Sequence, residues 1–257
     1  MLTTEEMNEL RPQMKDKPHL GKMNPFRIIG NTYFCGTYQA SCHLIDTGDG
    51  LILIDPGYDR TAYLVVNSIY KLGFSVEDIK YIFITHWHGD HSEATDALVA
   101  LSGAKVIIGR EDAERVTKYC TPDILIDDGY VLTLGNTSIR FIHTPGHTKG
   151  TMSFFYDVEE DGRTYRVGSF GGAGVNTMKR STFDFDGARE AYLASLERLR
   201  AERVDVFIGN HVWNNDTYGK SVRMLAGGEN EFIDGKAWHS FLDGCEERLM
   251  KVIESDP

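Results

Sequence analysis

No apolar run in the 257-residue chain approaches the ~20 residues needed to cross a bilayer. The N-terminus, MLTTEEMNELRPQMKDKPHL, is charged throughout and lacks the apolar core of a signal peptide. There is no C-x-x-C pair, and the four cysteines, Cys35, Cys42, Cys120 and Cys245, are scattered. These absences predict reduced thiols and a cytoplasmic location, although Cys35 and Cys42 could face each other across a hairpin. Positive charge is also scarce: 27 Lys and Arg stand against 38 Asp and Glu, a formal net charge of -11, with no basic cluster. Such a chain repels a phosphate backbone, so no nucleic-acid partner is expected. A small-molecule substrate is expected instead, with no membrane partner and no oligomeric state legible.

Low-complexity segments, short tandem repeats and Pro/Gly/Ser-rich linkers are missing too, so nothing divides the chain into several domains. Residues 1–24 are polar and Pro-broken and read as an arm over the surface rather than a core element. Residues 25–257 read as one domain, long enough to bury a sizeable core. β signals follow closely: FRIIG, TYFCG, CHLIDTG and LILIDPG, with Asp49-Gly50 as a hairpin turn. From Asp59 to Leu72 the spacing of Tyr63, Val66, Ile69 and Tyr70 suits one helix face. YIFIT reads as a strand covered on both sides. Residues 92–101 and 110–119 read as helices around the strand KVIIG. YVLTL, SIRFIHTPG, TMSFFYDV and TYRVGSF form a second β block with EEDGR as a turn. Asp184 or Asp186 is expected to cap a helix striped by Ala188, Tyr192, Leu196 and Leu199. A buried strand, VDVFIGNH, and a last helix with Trp238, Phe241, Leu242, Cys245, Leu249 and Val252 on one face complete the scheme. Two sheets face to face with helices outside is the simplest arrangement.

What is present in unusual density is histidine at strand ends. In YIFITHWHGDHSEA, His86, His88, Asp90 and His91 crowd the point where a buried strand gives way to a turn. His147 follows SIRFI, and His211 follows VDVFI. Each lies after an apolar strand and a glycine, so the sheets carry the rings to one edge, where loops vary without disturbing the core. Imidazole and carboxylate suit zinc, and a catalytic zinc takes three protein ligands while keeping a position for water. Six such residues would serve two ions, whose shared water would have a pKa near ~7 and supply hydroxide for hydrolysis of a carbonyl or phosphoryl centre. His19, His43, His143 and His239 read as ordinary surface or core histidines. Trp87, Trp213 and Tyr218 are candidates to line the mouth, or else to pack in the shell around it.

THWHGDH, PGHTKG and the later strand-end histidine together resemble the metallo-β-lactamase superfamily of hydrolases over nearly the whole chain. The resemblance implies an α/β fold, the αβ/βα four-layer sandwich, with the site at the open edge between its halves. It implies two Zn2+ per chain, one held by His86, His88 and His147 and the other by Asp90, His91 and His211. Asp90 would also orient the bridging hydroxide. Many members, among them glyoxalase-type thioesterases and tRNA-processing nucleases, carry an Asp after the strand matching TYRVG. Here that strand runs into SFGGAG and the position reads Ser169. In this the chain is most similar to the third subclass of metallo-β-lactamases, whose serine there helps position water or substrate.

The chain also departs from that subclass. Those enzymes are exported, and no export signal is seen. RVDVFIG lacks the cysteine of a disulfide often found there, and a second serine of their substrate loop corresponds to Gly171. Gly171–Gly174 has little side chain with which to recognise anything and suits a tight turn. The expected activity is therefore dinuclear-zinc hydrolysis of a β-lactam or related amide or lactone, with lactonase or thioesterase as alternatives. A diiron oxygen-reducing role fits less well, since that branch resembles H-x-E-x-D-H and His88 occupies the Glu position. A non-catalytic metal-binding module is the alternative of another class.

Overall fold

The computed structural model describes residues 2–257 and builds twelve strands into two sheets. The first sheet runs in chain order: β1 (Phe26–Ile29), β2 (Thr32–Phe34), β3 (His43–Asp46), β4 (Leu51–Ile54), β5 (Ile79–Ile84), β6 (Lys105–Gly109) and β7 (Ile124–Ile126). β1 to β4 pair antiparallel, and β4 to β7 pair parallel. The second sheet holds β8 (Val131–Leu134), β9 (Thr137–His143), β10 (Met152–Glu160), β11 (Arg163–Ser169) and β12 (Val206–Phe207). Its order is β12-β11-β10-β9-β8, with β12 parallel to β11. The helices are α1 (Thr4–Leu10), α2 (Ala62–Lys71), α3 (Gly89–Ser92), α4 (Thr95–Ser102), α5 (Ala113–Val116), α6 (Ala188–Arg200), α7 (Thr217–Leu225) and α8 (Ala237–Ser255). Among the described residues no helix is long and apolar enough to cross a membrane.

Burial explains the layers. Along β5, Phe83 faces the other sheet while Ile82 and Ile84 face the helices, so the half of the strand nearest the site is apolar, as a strand covered on both faces requires, and Lys80 near its start is exposed. Between the sheets, Phe83 meets Phe141 at 4.5 Å and Phe154 at 5.8 Å. Outside the first sheet, Val65 and Ile69 of α2 and Leu98 of α4 cover it. Outside the second, α6 and α8 bury Tyr192, Leu196, Trp238 and Leu242. The result is the four-layer sandwich.

Three local expectations change. On α2, Tyr63 and Tyr70 are exposed, and the inward face is Leu64, Val65, Ser68 and Ile69. That stripe buries branched aliphatic carbon and leaves the phenol hydroxyls in water. Neither Asp184 nor Asp186 caps α6; its N-cap is Gly187 at φ +82°, with no side-chain cap. The N-terminal arm is more than a surface strap. A capping box between Thr3 and Glu6 starts α1, and the arm buries Met7 and Met14 in the core between the sheets. All four cysteines are buried and unbonded, Cys35 Sγ lying 3.5 Å from Cys42 Sγ.

The fold delivers several strand ends to one edge. β4 and β5 are parallel neighbours, so Asp55 and His86 leave the sheet side by side. Met152 N donates to Thr85 O at 2.9 Å, joining the start of β10, and with it the turn bearing His147, to the end of β5. Because Phe83 packs across both sheets just before these loops, Phe83→Ala should cost about 3–5 kcal/mol of stability. A urea melt with an unchanged slope and a lowered midpoint is the expected result.

Candidate metal centre

The structure gathers the six strand-end residues into two groups of three, His86 with His88 and His147, and Asp90 with His91 and His211. Within each group the ligand atoms lie within 4.8 Å of one another. The two groups adjoin, since the His86 and His91 rings are 4.2 Å apart. His19, His43, His143 and His239 stay outside both.

Second partners assign the ring protons. His86 Nδ1–H donates to Thr85 Oγ1 (3.1 Å), whose own hydroxyl donates to Asp55 Oδ2 (2.8 Å). His91 Nδ1–H donates to Asp55 Oδ2 (2.8 Å), His147 Nδ1–H to Gly174 O (2.8 Å) and His211 Nδ1–H to Gln39 O (3.3 Å). Each bond leaves the Nε2 lone pair aimed inward, the arrangement by which outer partners orient metal-binding imidazoles. His86 Nε2 and His91 Nε2 are buried without a hydrogen-bond partner. His88 Nδ1 confronts His147 Nε2 at 2.9 Å. Leaving such nitrogens unsatisfied costs about 1–3 kcal/mol each, and a cation between them removes that cost. The donor set therefore fits a metal pair.

Electrostatics agree. Burial, reinforced by neighbouring imidazoles, pushes His86 well below the usual histidine range and His88 down to about 3. Burial likewise takes His147 to about 4 and His211 to about 3. These rings are neutral at pH 7 and offer lone pairs. For His91, burial opposes charge, but Asp90 and Asp55 outweigh it and its pKa is raised. Without a metal these two carboxylates favour a proton on His91, and a bound cation would compete with that proton.

Two carboxylates outside the six hold the frame. Asp55, at φ +53°, accepts from Thr85 N and Thr85 Oγ1 as well as from His91, so it braces both groups at once. Asp112 is buried and accepts from Trp87 N (3.0 Å), Thr148 Oγ1 (2.7 Å) and Gly150 N (2.7 Å). Trp87 lies between His86 and His88, and Thr148 follows His147, so one carboxylate clamps the two loops that make the first group. Sequence reasoning missed both. Asp55 had a signal, an acid directly after the buried strand LILI; Asp112 in GREDAE had none.

The glycine-rich loop does more than turn. A Cβ at Gly172 would lie 3.0 Å from His147 Cβ, and one at Gly174 3.0 Å from His147 Cε1. The loop lies flush on this ring and supplies the carbonyl that orients it. Ser169 is buried at the end of β11 opposite Phe154, and among the described residues its hydroxyl bonds to none of the six. Trp87 packs on His88 (4.5 Å) and donates Nε1–H to Asp184, while Trp213 stacks on His211 (4.3 Å, 11°) and is 43% exposed. Tyr218 points away from the site, and its hydroxyl donates to Leu2 O in the arm.

Residues 35–211 match the family model described as Metallo-beta-lactamase superfamily. The chain belongs to the metallo-beta-lactamase superfamily. Among relatives of this superfamily, the lactamase-like protein aptB of Emericella nidulans is 34% identical over 143 residues, 54% of this chain and 40% of that protein. The chain thus spans well under two thirds of that fungal relative. An N-acyl homoserine lactonase of Bacillus sp is 26% identical over 212 residues, covering 66% of this chain and 80% of the lactonase. Among solved structures, BJP-1, a subclass B3 metallo-beta-lactamase of Bradyrhizobium japonicum, superposes with TM-score 0.84 at 27% identity, covering 92% of this chain and 96% of that one. Fold and donor groups together support a dinuclear metal site in this superfamily member.

Asp112→Ala should weaken metal binding at the first group about 10–100-fold, read by chelator competition, whereas Asp112→Asn, which keeps an acceptor, should lose less. Burial also pushes the Asp112 carboxyl up from 3.8 to about 6. Below about pH 4 it is protonated in both folded and unfolded chains; between pH 4 and 6 the unfolded chain releases its proton first. By itself this lowers stability as pH rises through that window. In metal-free protein the loss is set against the larger gain from His86, His88, His147 and His211, which stay neutral when folded while the unfolded chain still binds their protons. Stability should therefore rise with pH on balance, and Asp112→Asn should steepen that rise in denaturation midpoints.

Proposed function

We propose that the chain is a zinc-dependent hydrolase of a small carbonyl compound, a β-lactam or a related amide or lactone. In this reading His86, His88 and His147 hold one Zn2+, and Asp90, His91 and His211 hold the second. The observation that carries it is the set of inward-facing ring nitrogens, two of them buried with no hydrogen-bond partner. Three ligands per ion leave coordination open for water and substrate, unlike structural zinc sites, which are closed by four. Bound zinc would lower the pKa of a shared water toward about 7 and polarise the scissile carbonyl.

The chain's residues do the positioning. Asp90 Oδ2 lies 3.5 Å from His91 Nε2 and 3.6 Å from His211 Nε2, and its side chain is one quarter exposed. Its free oxygen can accept a proton from the attacking water and pass it to the leaving nitrogen or oxygen. The water oxygen bonds to the carbonyl carbon, and the bond to the leaving atom breaks. Ser169, at the strand end just before the loop that seats His147, is the hydroxyl we assign to positioning water or substrate. The lactonase and lactamase names among the relatives support carbonyl hydrolysis and leave a lactone as the second reading. The four unbonded buried thiols suit a reducing compartment, the cytoplasm.

His88→Ala should lower turnover roughly hundred-fold or more together with zinc content. The assay panel is a chromogenic cephalosporin, a lactone and a thioester, with zinc measured by elemental analysis. Full activity after metal removal would sink the proposal.

A further inference from the structure

Most arginines of this acidic chain are engaged in ion pairs, among them Arg27, Arg115 and Arg189. Among the described residues, Arg11 and Arg60 have no acidic partner, and both stand beside the second ligand group. The Arg11 guanidinium lies 3.6 Å from the centre of the Trp213 ring, on the face opposite His211. The Arg60 guanidinium lies 3.6 Å above Tyr58, and its Nε is buried without a hydrogen-bond partner. The segment carrying Tyr58 and Arg60 leaves Asp55, the acceptor of His91, and its Gly57 carbonyl accepts from Ala94 N, just after the turn bearing Asp90 and His91. The N-terminal arm closes this flank: its turn at Pro18–Gly21 packs on Asp59–Thr61, while Arg11 reaches Trp213.

An unpaired guanidinium stacked on a half-exposed ring keeps its N–H groups free for an incoming acceptor. Across the site the unpaired cation among the described residues is a lysine, Lys118, whose Nζ lies 4.4 Å from the Trp87 ring and which lacks the planar fork of a guanidinium. The Gly171–Gly174 loop has no polar side chain, and Arg115 beside Trp87 is held by Asp184. We infer that Arg11 and Arg60 form a cationic flank which selects substrates carrying an anionic group, a carboxylate or phosphate, remote from the scissile carbonyl. Trp213 and Tyr58 serve as shelves for the carbon chain between the two. This specificity rests on the hydrolase reading and narrows it to anionic acyl compounds.

The test compares 4-nitrophenyl hemiglutarate, which carries a free carboxylate, with neutral 4-nitrophenyl valerate on the zinc-loaded full chain. Wild-type protein should prefer the anionic ester in kcat/KM, chiefly through KM, and the preference should fade with added salt. Arg11→Gln and Arg60→Gln should each cut that preference about tenfold, the scale of a charge-assisted hydrogen bond. Damage to folding or to the metals would depress both esters alike and leave the ratio intact. An intact ratio in the double variant at full zinc content would overturn the inference. If wild-type protein cleaves neither ester, the hydrolase reading is decided by the cephalosporin, lactone and thioester panel, and calorimetric titration with glutarate decides the flank. Weaker binding by the double variant supports the cationic flank; equal binding overturns it.

Discussion

The Asp55 carboxylate is the interaction on which the site depends. It fixes the His91 ring by a direct hydrogen bond and the His86 ring through the Thr85 hydroxyl. One buried acid thus sets the inward lone pairs of both ligand groups, and a left-handed backbone at a non-glycine residue is retained to place it. The parallel pairing of β4 and β5 makes this possible, since only adjacent strands running the same way bring Asp55 and Thr85 to one edge. Asp112 plays the matching part across the sandwich, clamping the His86–His88 loop to the turn of His147.

The core and the centre are linked by the same geometry. Packing between the sheets places Phe83 against Phe141 and Phe154, and the chain reaches the first histidine within three residues. Burial there depresses the histidine pKa values, which would be a liability in a core without partners. In this centre it keeps four imidazoles neutral and ready to coordinate, while the carboxylates Asp55 and Asp90 gather around His91. The overall negative charge of the chain makes the two unpaired arginines on the second flank a local exception to its field.

Legibility varied with the range of the interaction. The strands, the wide turns and the C-terminal helix were readable because apolar periodicity and Asp-Gly or Gly signals act within a few residues. The helix over 62–71 was readable as a helix, yet its inward face was not. Tyrosine and valine at the expected spacing compete with a leucine, valine and isoleucine stripe that packs better. The cap expected of Asp184 failed because that carboxylate is drawn to Trp87, Lys149 N and Arg115, partners far away in sequence. The arm looked polar throughout, and its two buried methionines reveal their role only against the folded core.

The H-x-H-x-D-H run, the two later strand-end histidines and the serine in place of an acid were legible from residues alone. They marked the candidate metal-facing side chains, because ligand chemistry depends on residue type and on strand ends that periodicity marks, and the family and the sandwich came with the resemblance those motifs carry. Only the tertiary structure decided which nitrogen of each ring faces inward, since that depends on carbonyls and carboxylates as distant as Gln39 and Gly174. It also decided that a glycine loop seats His147 and that Arg11, far from every ligand in sequence, stacks beside His211. These are consequences of close approach, and close approach is set by the packing of whole sheets.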